Sequence, residues 1–329
     1  KNLDPSSTSQ AKLLGSPWKF SQHGDAGLWG SDLFPEVSKR LDDICVIRSM
    51  YTDRPNHEPS LLLLNSGDKF PGRPSMGSWL TYGLGTMNRN LPGYIVLCPG
   101  LPVRGHQLWS SAFLPAVHQG TYLSLEERDP KKMIQNVRNP RLGADEQRRE
   151  LDLLSTLNHR HLAARGGDPQ LEATIQSSEI AFRMQTEAPE AFDITTEPQA
   201  VRERYGDHDF GRGCLMARRL IERGVRMVQV YFGNFQPWDN HDDIELHRPL
   251  AAQADQPISA LLQDLKASGL FKDTLVIIGG EFGRTPAVEV GGLVSVQNGR
   301  DHNNHGFSYL LAGAGVKGGM TYGATDEFG

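Results

Sequence analysis

Carboxylate and imidazole side chains lie beside apolar runs at three places in the chain. They are Asp239 and His241 after the run 225–232, Glu281 after 275–278, and Asp301, His302 and His305 before 307–312. Open α/β sheets place ligand sites at the carboxyl ends of their strands, which raises the question of whether the three clusters form one site. Imidazole and carboxylate together suit zinc, manganese or iron better than calcium, which prefers oxygen ligands alone.

Each cluster is weak support for a metal site when taken alone. Asp239 and His241 are two residues apart in a predicted loop, and they reach one ion only if a turn separates them. A single His or Asp in a polar loop is more often a solvated surface residue. The combination of the three clusters favours a site for one or two divalent ions.

Arg284 and Arg300 each lie beside one of these clusters. Either guanidinium can clamp an oxyanion through two hydrogen bonds. The alternative is a surface ion pair, which is the commoner role of a single arginine.

Five apolar runs predict strands, at residues 44–47, 94–97, 225–231, 275–278 and 307–312. Helical patterns lie between several of them, and two of these, 214–224 and 257–269, each lead into the next strand. This order predicts an α/β fold with a doubly wound, mostly parallel sheet flanked by helices.

The segment 145–186 has a helical pattern throughout, and we interpret 145–190 as a helical hairpin inserted between sheet strands. Residues 1–329 are expected to form a single domain. The Gly-, Pro- and Ser-rich stretches 67–93 and 99–120 predict long surface loops, anchored by aromatic side chains such as Trp79 and Trp109.

The composition excludes several classes of protein. A net charge of -5 and a pI near 6.1, with no long basic stripe, argue against a nucleic-acid binder. The longest apolar run is far shorter than the roughly 20 residues that cross a bilayer. The three widely spaced cysteines are typical of small buried hydrophobic residues rather than a disulfide framework.

Four motifs carry a resemblance to a known family. They are "RPNHEPSLLLLNSGDKFPGRPSMGSWLTYGLG" (54–85), "WDNHDD" (238–243), "GGEFGRTP" (279–286) and "GRDHNNHGFSYLLAGAGVKGGMTYGATDEFG" (299–329). Together they resemble the bacterial family catalogued as domain of unknown function 1501, which is grouped with the alkaline phosphatase and sulfatase superfamily. The resemblance spans nearly the whole chain.

The resemblance implies an alkaline-phosphatase-like core that holds two divalent metals and hydrolyses phosphate or sulfate esters. Asp239, His241 and either His302 or His305 are similar to one ligand set of the superfamily. Glu281 and Phe282 stand where the superfamily usually has Asp followed by His or Asn. Because Phe cannot bind a metal, the resemblance supports the second metal less well than the first.

His57 occupies the position of the nucleophile in related sulfatases, which carry a Cys or Ser there, followed by x-Pro-x-Arg. Pro59 keeps the proline, and Leu61 replaces the arginine. A neutral imidazole can attack phosphorus or bind a metal, so His57 is a nucleophile, a general base or a ligand, or it only packs beneath the loop. Ser60 and Ser66 are interpreted as helix-face or capping hydroxyls.

Relatives usually begin with one more strand, which supplies a metal-binding Asp, and they end with one more helix. We expect that this sequence lacks both. Because relatives tend to be exported, the resemblance also implies a periplasmic or otherwise exported protein.

Two functions remain open from the sequence. The first is a metal-dependent hydrolase of small-molecule or glycan esters of phosphate or sulfate. The second is a non-catalytic superfamily member, a carbohydrate-binding or assembly module that uses loops near Trp79, Trp109 and Trp238. A serine hydrolase is disfavoured because the sequence has no Gly-x-Ser-x-Gly elbow. The oligomeric state is left open.

Overall fold

The computed structural model describes residues 12–133, 141–165, 168–290 and 298–327. Its α-helices are α1 (Pro35–Ser38), α2 (His57–Ser66), α3 (Met76–Leu84), α4 (Ala144–Arg165), α5 (Pro169–Phe192), α6 (Gln199–Tyr205), α7 (Asp209–Glu222) and α8 (His247–Ala267). Its strands are β1 (Phe20–His23), β2 (Leu28–Ser31), β3 (Ile44–Met50), β4 (Tyr94–Cys98), β5 (Thr121–Ser124), β6 (Met227–Val230), β7 (Val276–Ile278), β8 (Gly283–Val288), β9 (Arg300–Asn303), β10 (Phe307–Ala312) and β11 (Met320–Tyr322). The first eleven residues lie outside this part of the chain, so the expected lack of a strand at the amino end stays untested.

The protein has a mixed α/β fold with several sheets. One sheet has the order β5-β4-β6 with all strands parallel, and another has the order β11-β3-β10-β7. Strands lie at all five places where apolar runs predict them. The short pairs β1–β2 and β8–β9 are antiparallel.

The expectation of a mostly parallel sheet is wrong for the four-stranded sheet, where β10 runs antiparallel to both β3 and β7. From β7 the chain passes through the β8–β9 pair and enters β10 after a connection of only three residues. No helix lies in the described part of this path. Without a helical crossover the chain re-enters the sheet from the edge at which it left, so β10 must run in the opposite direction.

Helices cover both sheets with buried apolar side chains. The first core lies between α5, α7 and the parallel sheet and includes Ile95, Leu97 and Leu220. The second lies between α8 and the four-stranded sheet and includes Ile44 and Leu262. Burial of these side chains fixes the two sheets against α7 and α8, which pack on each other.

Helix α3 lies inside the stretch 67–93 that was predicted as a loop. The Ser75 side chain caps its first turn by accepting a hydrogen bond from the Ser78 amide, and Gly85, with φ 66°, ends it. Trp79 is half exposed, whereas Trp109 is fully buried. Only Trp109 therefore anchors its segment as expected.

The helices α4 and α5 occupy the region of the predicted helical hairpin and contact each other. Arg148 on α4 forms an ion pair with Glu179 on α5 (2.7 Å). In the described part of the chain, no helix is both long and apolar enough to span a bilayer. Cys45, Cys98 and Cys214 are buried and free, as the sequence predicts.

Candidate metal centre

Four segments that are distant in sequence meet at the carboxyl ends of β6 and β7. His57 is the first residue of α2, and Asp239 and His241 lie in the loop that follows β6. His302 lies on β9 and is the register partner of Arg284 on β8. The return of the chain from β7 through β8 and β9 therefore brings His302 next to Asp239 and His241 in the loop after β6.

Three imidazole rings and one carboxylate converge at this edge. The Nε2 atom of His302 lies 3.1 Å from Nε2 of His57 and 3.1 Å from Nε2 of His241. The Oδ1 atom of Asp239 lies 3.0 Å from His302 Nε2 and 2.8 Å from His241 Nε2, and its Oδ2 lies 3.1 Å from His57 Nε2. Asp239 and His302 thus lie between the other two rings.

The second ring nitrogen, Nδ1, of each histidine faces an oxygen atom outside this group. The acceptors are Glu281 Oε1 for His57 (2.6 Å), Glu289 Oε2 for His241 (2.5 Å) and the Pro55 carbonyl oxygen for His302 (2.5 Å). An ionised carboxylate and a carbonyl oxygen only accept hydrogen bonds, so each Nδ1 carries the hydrogen. In the neutral tautomer every Nε2 then presents a lone pair to the centre.

This arrangement fits a divalent metal. Two nitrogen lone pairs 3.1 Å apart repel each other unless a proton or a cation lies beside both. In a tetrahedral zinc site with bonds of about 2.0–2.1 Å, neighbouring donor atoms are about 3.3 Å apart, close to the spacing here. Metal-binding histidines also commonly donate Nδ1–H to a carboxylate or carbonyl group. The donor set of imidazole and carboxylate suits zinc, manganese or iron.

The donors form two overlapping groups that could each hold an ion. One consists of His57, Asp239 and His302, and the other of His241, Asp301 and His302. In the second group Asp301 Oδ1 accepts a hydrogen bond from the His302 amide (2.7 Å) and lies 3.9 Å from His241 Nδ1. Four of the six predicted ligands, Asp239, His241, Asp301 and His302, are therefore within reach of a metal.

Charged and hydrogen-bonding groups lie close together in the centre, and they shift the pKa values of His57, His241 and Asp239. Burial lowers the pKa of His57, but hydrogen bonds with Asp239 and Glu281 outweigh burial and raise this pKa to about 9. Contact with Asp239 raises the pKa of His241. Burial raises the pKa of Asp239, but its contacts with the three histidines and with Arg284 prevail and hold it far below its usual range. Asp239 is thus ionised at neutral pH and favours a cation beside it.

Arg284 holds Asp239 in place. Its Nη2 donates to Asp239 Oδ1 (2.5 Å) and to the Trp238 carbonyl oxygen (3.2 Å), and its Nη1 donates to the Arg300 carbonyl oxygen (3.2 Å). Nη1 also lies 3.4 Å from His241 Nε2. Its guanidinium charge therefore lies beside the centre, as a clamp for an oxyanion would require.

Other predicted site residues lie at the edge of the centre or outside it. Glu281 contacts His57 Nδ1, so it orients a ligand. The Arg300 side chain extends away and donates to the Leu14 carbonyl oxygen (2.5 Å). His305 is exposed, belongs to neither group, and bonds Asn303 through its backbone amide. The centre thus uses His302, and not His305, as its distant histidine.

The hydroxyls near His57 bond the backbone. Ser60 Oγ donates to the Arg54 carbonyl oxygen (2.7 Å), and Ser66 Oγ donates to the Leu62 carbonyl oxygen (2.8 Å). Both serines therefore have the helix-face roles that the sequence suggests. Since both ring nitrogens of His57 face the centre or Glu281, the geometry favours a ligand role for His57 over that of a nucleophile.

Glu289 escapes sequence reasoning, whereas the sequence marks Phe282 as a residue that cannot bind a metal but does not indicate its ring contacts. Glu289 follows β8, and its proximity to His241 depends on the pairing of β8 with β9, which no local pattern indicates. Phe282 packs its ring against those of His57 and His302, with ring centroids 4.8 and 4.6 Å apart. The only local signal for Phe282 is its place next to Glu281, directly after a strand.

The fold and the centre together define a mixed α/β protein with histidine and carboxylate clusters suited to a divalent metal. Residues 1–329 match the model of the family described as "Protein of unknown function (DUF1501)", and the protein belongs to that family. A search of curated proteins finds no match.

Proposed function

We propose that this protein is a divalent-metal-dependent hydrolase of phosphate or sulfate esters. The observation that carries the proposal is the convergence of three imidazole Nε2 atoms on the Asp239 carboxylate, with every Nδ1 held by an acceptor. Such paired contacts orient metal ligands in known metalloproteins. A purely structural cluster has no need to bring three imidazole Nε2 atoms together at one carboxylate.

One or two ions would be held by His57, Asp239, His241 and His302, with Asp301 completing the second group. When bound, a divalent ion polarises an ester and lowers the pKa of a water molecule toward neutrality. Zinc, manganese and iron are the candidates because the donors combine imidazole with carboxylate.

The remaining residues position these ligands and neutralise charge. Glu281 and Glu289 hold His57 and His241 in the tautomer that exposes Nε2. Arg284 fixes Asp239 and supplies a positive charge beside the centre, where an anionic ester and its transition state gain most from it. Arg300 contributes its carbonyl oxygen to Arg284 rather than its guanidinium to the substrate.

We extend the proposal to the alkaline phosphatase and sulfatase superfamily and its doubly wound fold. The parallel sheet β5-β4-β6 and the position of the centre at the carboxyl ends of β6 and β7 support this placement. The departures are Leu61, which replaces an arginine, and His57, which is engaged at both nitrogens. They favour attack on the ester by water over a covalent enzyme intermediate.

The direct test is turnover of 4-nitrophenyl phosphate and 4-nitrophenyl sulfate by the protein loaded with zinc, manganese or iron(II). We expect one ester to be hydrolysed, the activity to disappear with chelator, and His302→Ala to abolish it. His305→Ala is the matched control and should keep the activity, because His305 lies outside the centre. Loss of activity in both variants, or hydrolysis that a chelator leaves intact, contradicts the proposal.

An exposed aromatic cluster favours a second candidate, a binding module for carbohydrate or assembly partners. Trp79 contacts Tyr82 and Phe113, with ring centroids 6.1 and 5.8 Å apart, and all three rings are exposed. Trp109 is buried and Trp238 stacks on His247, so neither takes part. A non-catalytic module would bind a glycan through Trp79 and would be indifferent to His302→Ala.

A further inference from the structure

A strained aromatic residue, Phe235, precedes Asp239 by four residues in the loop that supplies two of the proposed ligands. Phe235 has a backbone φ of 59° and a ring that is 67% exposed. Positive φ is a steric outlier for a bulky side chain and is usual only for Gly, Asn and Asp. Strained residues of this kind persist only where their surroundings impose them, and they cluster at functional sites.

The surroundings of Phe235 impose the conformation. Its amide donates to the Leu101 carbonyl oxygen (3.3 Å), and the neighbouring Asn234 side chain accepts from the Leu101 amide (3.0 Å). A side chain at Gly100 would lie 2.2 Å from Asn234 Oδ1, so it would displace the Asn234 side chain from its contact with the Leu101 amide. The loops after β4 and β6 are thereby fixed to each other at the carboxyl edge of the parallel sheet.

The same turn leads directly to the metal centre. The Asp239 amide donates to the carbonyl oxygen of Gln236, the residue after Phe235 (3.1 Å). On the other loop, Arg104 forms an ion pair with Glu58 (3.3 Å), the residue after His57. The backbone of Phe235 is thus linked through these two loops to the segments that carry Asp239 and His57.

We propose that Phe235, with the neighbouring exposed Leu101, forms a subsite for an apolar, planar group of the ester, such as an aryl leaving group. The inference rests on the proposed function, because it gives the substrate class for that same centre. An exposed ring on this restrained backbone can offer one face to a planar group of the ester. Covering about 55 Å² of apolar surface there corresponds to about tenfold in affinity.

The test measures binding, which needs no turnover. Calorimetry on the zinc-loaded protein compares phenylphosphonate with methylphosphonate, and we expect the phenyl compound to bind about tenfold more tightly. Phe235→Asn should abolish the preference without lowering Tm, because Asn tolerates the positive φ. Phe235→Tyr, which keeps the ring, should retain the preference. Phe113→Asn removes a ring that is similarly exposed at 64%, and it should also retain the preference.

The outcomes separate this subsite from the hydrolase proposal. Equal affinity for the two phosphonates, or a preference that survives Phe235→Asn, overturns the subsite even if phenyl phosphate is hydrolysed. A phenyl preference that Phe235→Asn abolishes supports the subsite, and turnover of phenyl phosphate then decides separately whether the centre is a hydrolase. Failure to bind either phosphonate overturns the subsite and also counts against an anion-binding centre.

Discussion

Replacing His302 with alanine should damage the metal centre more than any other single change. His302 belongs to both groups of potential ligands, and its Nε2 lies 3.0–3.1 Å from donor atoms of His57, Asp239 and His241. An ion in either group therefore loses a ligand in this variant. The fold should survive, because the His302 side chain bonds only the Pro55 carbonyl oxygen outside the centre among its described partners.

The magnitude follows from the number of ligands. Structural zinc sites with four ligands bind with roughly 10–16 kcal/mol, or about 3 kcal/mol for each ligand, and we take that value for the loss of one ligand here. At about 1.4 kcal/mol per tenfold change, His302→Ala should weaken zinc binding by about two orders of magnitude.

The assay is a competitive titration of zinc between the protein and a chromophoric chelator of known affinity. His305→Ala is the matched control, since it removes an imidazole three residues away that belongs to neither group. It should change zinc affinity less than about twofold. The reasoning is refuted if the two variants bind zinc equally well, or if His305→Ala is the weaker of the two.

Three further predictions concern the contacts around the centre and the core. Glu289→Gln should weaken zinc binding by about 10–100-fold in the same titration, because Glu289 orients His241 through Nδ1. Zinc affinity should rise by about tenfold per pH unit between about pH 6 and 8, because the ion displaces a proton that His57 holds with a pKa of about 9. Asp255→Ala should lower the free energy of unfolding by about 1–3 kcal/mol, measured by chemical denaturation, because the buried carboxylate accepts two amide hydrogen bonds from α1.

Each of these three predictions has a result that would contradict it, and the first also has a matched control variant. Glu245→Gln changes a surface acid paired with Arg248 and should leave zinc affinity intact, so an equal loss in both Gln variants contradicts the orienting role of Glu289. A zinc affinity that falls or stays level as the pH rises would contradict the prediction that zinc displaces a proton from His57. Unchanged stability in Asp255→Ala would mean that water replaces the lost acceptor at α1.

The sequence predicts the elements of the fold better than their directions. Apolar runs mark β4, which is buried throughout, and β10, which is partly buried, because both are bounded by polar or glycine-rich segments. The antiparallel direction of β10 depends on the path through β8 and β9. The pairing of these two strands sets that path, and no local pattern indicates the pairing. Helix α3 was missed because glycine and proline dominate its surroundings, whereas a single capping contact at Ser75 starts the helix.

The metal centre, like the fold, could be predicted only in part from the sequence. Asp239 and His241 could be proposed because acids and histidines after apolar runs are expected at the carboxyl ends of strands. His302 comes before β10, and it reaches the other ligands because β10 runs antiparallel to β7. The choice between His302 and His305 could not be predicted from the sequence. It depends on the position of β9, which carries His302 to the centre. Glu289 contacts His241 across 48 residues of sequence, and no spacing indicates such a contact.

The central claim is that His57, Asp239, His241 and His302 hold one or two divalent ions, and anomalous diffraction tests it most directly. Crystals of the protein grown with zinc would be measured on both sides of the zinc absorption edge. The structure predicts an anomalous peak within bonding distance of His302 Nε2 and the Asp239 carboxylate. A map with no peak there, or with its strongest peak beside His305, would contradict the account.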